Sequence, residues 1–108
     1  MNYFAESCFG ELQVATACED SAMSISCDEG TLLIVEGKFR RTSTQVCPHH
    51  SITSNPNCYS VNSLQHIRTE CEGKTSCSVP ATNSFFGDDP CYEIKKYVET
   101  TYRCQLCG

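Results

Sequence analysis

Two carboxylates and two lysines flank a Pro-Cys turn near the carboxyl end of the chain. Asp88 and Asp89 come directly before this turn, and Lys95 and Lys96 follow it closely. Carboxylates accept, and ammonium groups donate, strong charge-assisted hydrogen bonds. The segment from Gly87 to Cys104 therefore predicts a site for a polar ligand, and we interpret its chemistry as binding rather than catalysis.

A strand is predicted directly after this turn and would hold it rigidly. From Lys96 to Cys104 the side chains alternate between two faces, as in a half-buried strand. Further strands are predicted at Glu11–Cys18, Met23–Cys27, Thr31–Val35 and Ser76–Val79. One main helix is predicted at Tyr59–Cys71, with Ser60 as its N-cap, Gly73 at its end, and Val61, Leu64 and Ile67 on its apolar face.

The length of 108 residues indicates one domain, 1–108, in which residues 1–16 form an N-terminal arm and the first strand. The order of elements predicts a small disulfide-rich α+β domain with a mainly antiparallel β-sheet packed against the helix. The ten cysteines are typical of a secreted or extracellular protein. No secretory signal peptide is visible, so we expect a mature domain with an added initiator Met.

The charge and hydropathy of the chain exclude several classes of partner. The net charge is −5, and the eight basic residues are scattered, which argues against nucleic acid and anionic membranes. No apolar run approaches the ~20 residues of a membrane-spanning helix, so membrane insertion is not expected.

The polar segment from Glu36 to Thr44 has two interpretations. Phe39 is flanked by Lys38, Arg40 and Arg41. The phenyl ring and the arginines could border a polar ligand, or the cations could protect an exposed edge strand from pairing with another sheet.

Catalytic and metal-binding motifs are missing from the sequence. There is no G-x-S-x-G or H-E-x-x-H motif, so no enzyme activity is expected. Cys104 and Cys107 have C-x-x-C spacing, but His49 and His50 are adjacent rather than spaced as zinc ligands. These histidines fit a solvated loop, and His66 fits the polar face of the helix, so no metal or cofactor is predicted.

The spacing of the cysteines alone does not assign their pairing. Cys71 and Cys77 suggest a local bridge around Gly73. Cys8 and Cys107, near the two ends, would either pair with each other or join two chains.

The sequence as a whole resembles the sea urchin egg lectin (SUEL) family of rhamnose- and galactose-binding lectins, and the related lectin-like module of latrophilin-type receptors. The resemblance covers Ala17 to Cys104 and rests on four joint motifs. They are A-C-E-D-S at 17–21, I-S-C at 25–27, C-E-G-K-T-S-C at 71–77, and the D-P-C, K-Y and Y-x-C set formed by Asp89, Pro90, Cys91, Lys96, Tyr97, Tyr102 and Cys104.

The resemblance implies a disulfide framework and a sugar site. The implied bridges are Cys18–Cys47, Cys27–Cys104, Cys58–Cys91 and Cys71–Cys77, with a Cys8–Cys107 bridge or a disulfide-linked homodimer besides. The implied ligand is a terminal galactose or rhamnose-like sugar, held without metal by Glu19, Asp89 and Lys96. Phe39 or Tyr92 would cover an apolar sugar face.

Three departures from the family pattern keep a second hypothesis open. Phe39 stands where the family has tyrosine, and Arg40 and Glu93 stand where it has glycine. Glu93 would therefore lie where a glycine backbone approaches the sugar. The alternative function is an adhesion module that binds a cell-surface protein and has lost its affinity for sugar.

Overall fold

Five strands and two helices are found in the part of the chain that this computed structural model describes, residues 8–41, 45–47, 60–87 and 95–107. In chain order they are β1 (Gln13–Cys18), β2 (Ala22–Ser26), β3 (Thr31–Arg40), α1 (Ser63–Cys71), β4 (Ser76–Pro80), α2 (Asn83–Phe86) and β5 (Tyr97–Gln105). The predicted α+β class is confirmed.

The strands form two antiparallel sheets. One has three strands in the order β1-β5-β3, and the other is a ribbon of β2 and β4. β5 is the central strand of the larger sheet, and its alternating burial is that of the half-buried strand predicted there. Its Val98 and Thr100 are fully buried, whereas Glu99 between them is exposed. The segment predicted to hold the site is therefore attached to the strand that pairs on both sides within the larger sheet.

β3 is longer than predicted and contains a bulge. The apolar run Thr31–Val35 and the polar run after it form a single strand of ten residues. The register against β5 shifts between Ile34 and Glu36, and Val35 is 43% exposed. One extra residue at a bulge reverses the alternation of faces. As a result Ile34 and Phe39, an odd number of residues apart, both lie in the core.

Helix α1 begins four residues later than predicted and packs on β3 through a small face. Ser63, Ile67 and Cys71 are its buried residues. Val61, which we expected on the apolar face, precedes the helix and is 76% exposed. The predicted N-cap Ser60 is also wrong, because Asn62 occupies that position without a side-chain capping bond.

Side chains of α1 and of Glu72, the residue that follows it, bond to the outer edge of β3. The Ile34 N–H donates to Glu72 Oε1 at 2.9 Å, and the Ile34 carbonyl accepts from Arg68 Nη2 at 3.1 Å. The Phe39 N–H donates to Ser63 Oγ at 3.2 Å. Backbone groups that an edge strand would leave to solvent are thus bonded within the molecule.

Four disulfides are found among the described residues. They join Cys18 to Cys47, Cys27 to Cys104, Cys71 to Cys77, and Cys8 to Cys107. Cys8 and Cys107 therefore form a bridge within one chain, which was one of the two alternatives expected from the sequence. Near this bridge the Gly10 N–H donates to the Cys104 carbonyl at 2.8 Å. Cys58 and Cys91 lie outside the described residues, so their bridge stays a prediction.

Neither of the described helices is long and apolar enough to cross a membrane.

Candidate functional site

The turn between β1 and β2 meets the start of β5 through two hydrogen bonds and an ion pair between Glu19 and Lys96. The Glu19 N–H donates to the Lys96 carbonyl at 3.0 Å. The Lys96 N–H donates to Glu19 Oε1 at 2.8 Å, and Lys96 Nζ lies 3.3 Å from the same oxygen. Two residues 77 positions apart in the sequence are thereby fixed in a single geometry.

This ion pair is largely withdrawn from solvent. The Lys96 side chain is 1% exposed and the Glu19 side chain is 11% exposed. Lys96 Nζ also lies 5.3 Å from the centroid of the Phe39 ring, which stacks on Phe86 at 4.5 Å. The ammonium is held between a carboxylate and an aromatic face.

Further backbone bonds fix the turn that carries Glu19. The Ser21 N–H closes the turn on the Cys18 carbonyl at 2.9 Å. The Asp20 N–H donates to the Ala81 carbonyl, and the Ala81 N–H donates to the Ser21 carbonyl, each at 2.8 Å. Asp20 has φ = 74°, a left-handed conformation that aspartate tolerates better than most residues. The position of Glu19 therefore does not depend on its side chain alone.

A second ion pair lies beside the first, nearer to solvent. Lys95 Nζ donates to Asp20 Oδ2 at 2.8 Å, and the two side chains are 39% and 67% exposed. The hydrogen bond that Lys95 donates to Asp20 raises the pKa of Lys95 above its ordinary value, against a smaller opposing effect of desolvation. The paired sequences Glu19-Asp20 and Lys95-Lys96 thus form one buried and one exposed contact.

Arg41 holds the backbone next to the ion pairs in place. It was not assigned this structural role from the sequence. Its side chain is fully buried, and its guanidinium donates to the carbonyls of Lys95, Val46 and Cys47. It also lies over the Tyr97 ring, at 5.4 Å. Arg41 therefore ties the residue before Lys96 to the segment that the Cys18–Cys47 bridge anchors, and no local motif in the sequence would have indicated this.

The structure brings together two of the predicted sugar-binding residues, Glu19 and Lys96. Phe39 is 0% exposed, so its ring offers no face to a ligand, and this corrects the expectation that it would lie at the surface. It instead packs beneath the ammonium of Lys96. Asp89, Tyr92 and Glu93 lie outside the described residues.

The remaining histidine in the described segments is part of the aromatic packing. His66 is half-buried, and its ring lies 6.0 Å from those of both Phe85 and Phe86. Across residues 8–41, 45–47, 60–87 and 95–107, no cluster of three or more His, Cys, Asp or Glu side chains could hold a metal ion.

Comparison with known families identifies the fold. The model of the D-galactoside/L-rhamnose binding SUEL lectin domain matches residues 25–104, which is most of the chain. The chain belongs to the SUEL lectin family.

Two sea urchin proteins match this SUEL domain over nearly their whole length. The L-rhamnose-binding lectin ELEL-1 of Echinometra lucunter is 43% identical over 95 residues, which are 86% of this chain and 91% of that protein. The D-galactoside-specific lectin of Heliocidaris crassispina is 44% identical over 98 residues, 88% of this chain and 92% of that protein.

A latrophilin is also similar. Latrophilin Cirl of Drosophila mojavensis is 36% identical over 100 residues, 91% of this chain but 6% of the receptor. The resemblance to both groups that the sequence motifs suggested is therefore confirmed.

Proposed function

We propose that this SUEL domain is a lectin that binds terminal galactose or rhamnose-like sugars at the turn formed by Glu19 and Lys96, without transforming them. Family membership and the two sea urchin lectins, which match over about nine-tenths of their length, support carbohydrate binding. The particular residues and the sugar are our inference.

The observation that carries the proposal is the fixed geometry of Glu19. Its Oε1 atom accepts from the backbone N–H of Lys96 and forms an ion pair with the Lys96 ammonium, 3.3 Å away. Its Oε2 atom makes no hydrogen bond to any other described residue. A carboxylate oxygen that is held in place but makes no hydrogen bond to the described residues can accept one from a sugar hydroxyl. Binding then requires no further ordering of this side chain.

Residues from the D-P-C turn would complete the site. Asp89 would accept from a second hydroxyl, and Tyr92 would cover the apolar face of the sugar, the role that buried Phe39 does not fill. Glu93 replaces the glycine whose backbone approaches the sugar in the family, so it would tilt the ligand or select among its substituents.

The glycans would be encountered outside the cell. Disulfides persist in oxidising compartments, and four are found among the described residues, which favours a secreted or extracellular location. A single small site of this kind binds weakly, so useful affinity for a glycan surface would come from several linked copies.

The experiment is a calorimetric or NMR titration with L-rhamnose and D-galactose in the presence of EDTA. Wild type is compared with Glu19→Gln, in which the amide keeps an acceptor for Lys96 but loses the charge offered to the sugar. Asp20→Asn is the matched control, because it makes the same chemical change one residue away, in the exposed pair.

We expect saturable binding by wild type and by Asp20→Asn, and at least about tenfold weaker binding by Glu19→Gln, since a charge-assisted hydrogen bond is lost. Equal binding by all three proteins would show that the sugar lies elsewhere. No binding of either sugar by folded wild type would reject the proposal and favour the alternative, a module that binds a cell-surface protein.

A further inference from the structure

Helix α2 is a single turn whose two ends are fixed by local hydrogen bonds. The Thr82 Oγ1 atom caps its start by accepting from the Phe85 N–H at 3.1 Å. The Gly87 N–H closes its end on the Asn83 carbonyl at 2.8 Å, and φ = 84° at this glycine is a left-handed conformation that ends the helix. The backbone that carries Phe86, the last residue of the helix, is therefore held on both sides.

The residue before the cap joins α2 to the turn that carries Glu19. Ala81 is fully buried and makes two backbone hydrogen bonds to this turn, each of 2.8 Å. Its carbonyl accepts from the Asp20 N–H, and its N–H donates to the Ser21 carbonyl. Because Ala81 directly precedes the capping Thr82, α2 and the Glu19 turn are attached to the same short piece of backbone.

Phe86 connects α2 to the other half of the proposed site, Lys96. The rings of Phe86 and Phe39 stack with their centroids 4.5 Å apart and an angle of 17° between their planes. Lys96 Nζ lies over the Phe39 ring, 5.3 Å from its centroid. Both phenylalanines are buried, at 0% exposure for Phe39 and 2% for Phe86. The ammonium therefore packs on a ring whose own position depends on Phe86, because buried side chains are closely packed.

We propose that Phe86 is a positioning residue for sugar binding and acts through Phe39 on the ammonium of Lys96, an inference that rests on the proposed function. The ammonium lies 3.3 Å from Glu19 Oε1, so its displacement would turn the carboxylate whose other oxygen is offered to the sugar. Removing the ring of Phe86 leaves space beneath Phe39, into which that ring would tilt. Binding groups must be held to within about 0.5 Å, so a small tilt is enough to weaken the site.

Phe85, the neighbouring residue of the same helix, provides a contrast to Phe86. Its ring meets that of Phe86 edge-on, with centroids 4.9 Å apart and an angle of 82° between the planes. It also lies 6.0 Å from the ring of His66 on α1. Its ring contacts within the described segments do not include Phe39. A change at Phe85 therefore alters the packing of α2 but keeps the ring that supports Phe39.

The test is an NMR titration of wild type, Phe86→Leu, Phe85→Leu and Leu32→Ala with L-rhamnose and D-galactose. Leu32 is 1% exposed and lies opposite Cys104, at the other end of β5 from Lys96, so Leu32→Ala controls for a loss of stability alone. The side-chain signals of Lys96 are also recorded without sugar, because their chemical shifts report the aromatic ring beside the ammonium. Phe86→Met, which keeps most of the side-chain volume but has no ring, replaces Phe86→Leu if that variant does not fold.

We expect the Phe86 variant to bind both sugars at least about fivefold more weakly than wild type and to shift the Lys96 signals, since a buried contact between a cation and a ring is lost. Phe85→Leu and Leu32→Ala should bind within about twofold of wild type, with the Lys96 signals in place.

Wild-type affinity in the Phe86 variant overturns the proposal, and so does an equal loss in either control variant or an unchanged set of Lys96 signals. Failure of the proposed function is a separate result, because folded wild type would then bind neither sugar. The Lys96 signals would in that case decide by themselves whether Phe86 positions the ammonium.

Discussion

Adjacent Lys95 and Lys96 provide a direct comparison of an exposed with a buried ion pair. Each lysine lies next to a carboxylate of the same turn, Asp20 for Lys95 and Glu19 for Lys96. Replacing either by methionine removes one positive charge and keeps a flexible apolar chain of similar length. The two variants differ mainly in how far the remaining carboxylate can reach solvent.

The expected magnitudes follow from burial. Lys96→Met leaves the 11% exposed Glu19 carboxylate with one hydrogen-bond partner among the described residues, the backbone N–H of residue 96. Breaking a buried pair on one side costs about 3–5 kcal/mol, and the partial exposure of Glu19 favours the lower end, about 3 kcal/mol. Lys95→Met breaks an exposed pair that is worth ~0–1 kcal/mol.

The assay is urea unfolding with the disulfides intact, followed by circular dichroism. A double variant, Glu19→Gln/Lys96→Met, serves as a second comparison, because it removes both charges of the described pair and should recover part of the loss. Equal destabilisation by Lys95→Met and Lys96→Met would refute the reasoning. A double variant less stable than Lys96→Met alone would refute it as well.

Three other predictions concern residues around the site. Arg41→Lys should cost about 1–3 kcal/mol in thermal unfolding, because one ammonium does not reach the three carbonyls that the guanidinium binds; no measurable loss would contradict this. Gly37→Ala should cost about 1–3 kcal/mol, since its Cβ would lie 2.5 Å from Ile67 Cδ1, and Ile67→Val, which removes that atom, should recover most of it. The hydrogen bond to Asp20 raises the pKa of Lys95 above its ordinary value of about 10.5, so its pair stabilises the fold below that pH, and the small stability difference between wild type and Lys95→Met should shrink as pH rises above it.

The strands could be predicted from the sequence because each has a clear alternation or apolar run. β5 was predicted to begin at Lys96 and begins at Tyr97, and β2 was placed within one residue at each end. The bulge at Val35 could not be predicted, because no residue type in this segment indicates one. Without the bulge, the alternation places Ile34 and Phe39 on opposite faces of the strand. The polar neighbours of Phe39 then suggested a surface segment. Its burial is a consequence of sheet register, which depends on β5 and not on the local sequence.

The candidate site was partly predictable for a similar reason. Glu19 and Lys96 were paired by resemblance to a family, since 77 residues separate them and no spacing rule connects them. The buried role of Arg41 had no signal at all, because its partners are backbone carbonyls and every residue has one. Contacts to backbone leave no complementary residue type to search for in a sequence.

The arrangement of the Glu19 turn explains how so small a domain can hold a charged site. An unsupported carboxylate and ammonium at the end of a strand would pair loosely and be screened by water. Here the turn is bonded to Ala81 on one side and to β5 on the other, and Arg41 holds the residue before Lys96. The disulfide at Cys18 secures the last residue of β1, directly before Glu19. Because the fold already meets the cost of ordering these groups, on the proposed function a sugar would need to supply little more than its own immobilisation, and a few hydrogen bonds would suffice for specific recognition.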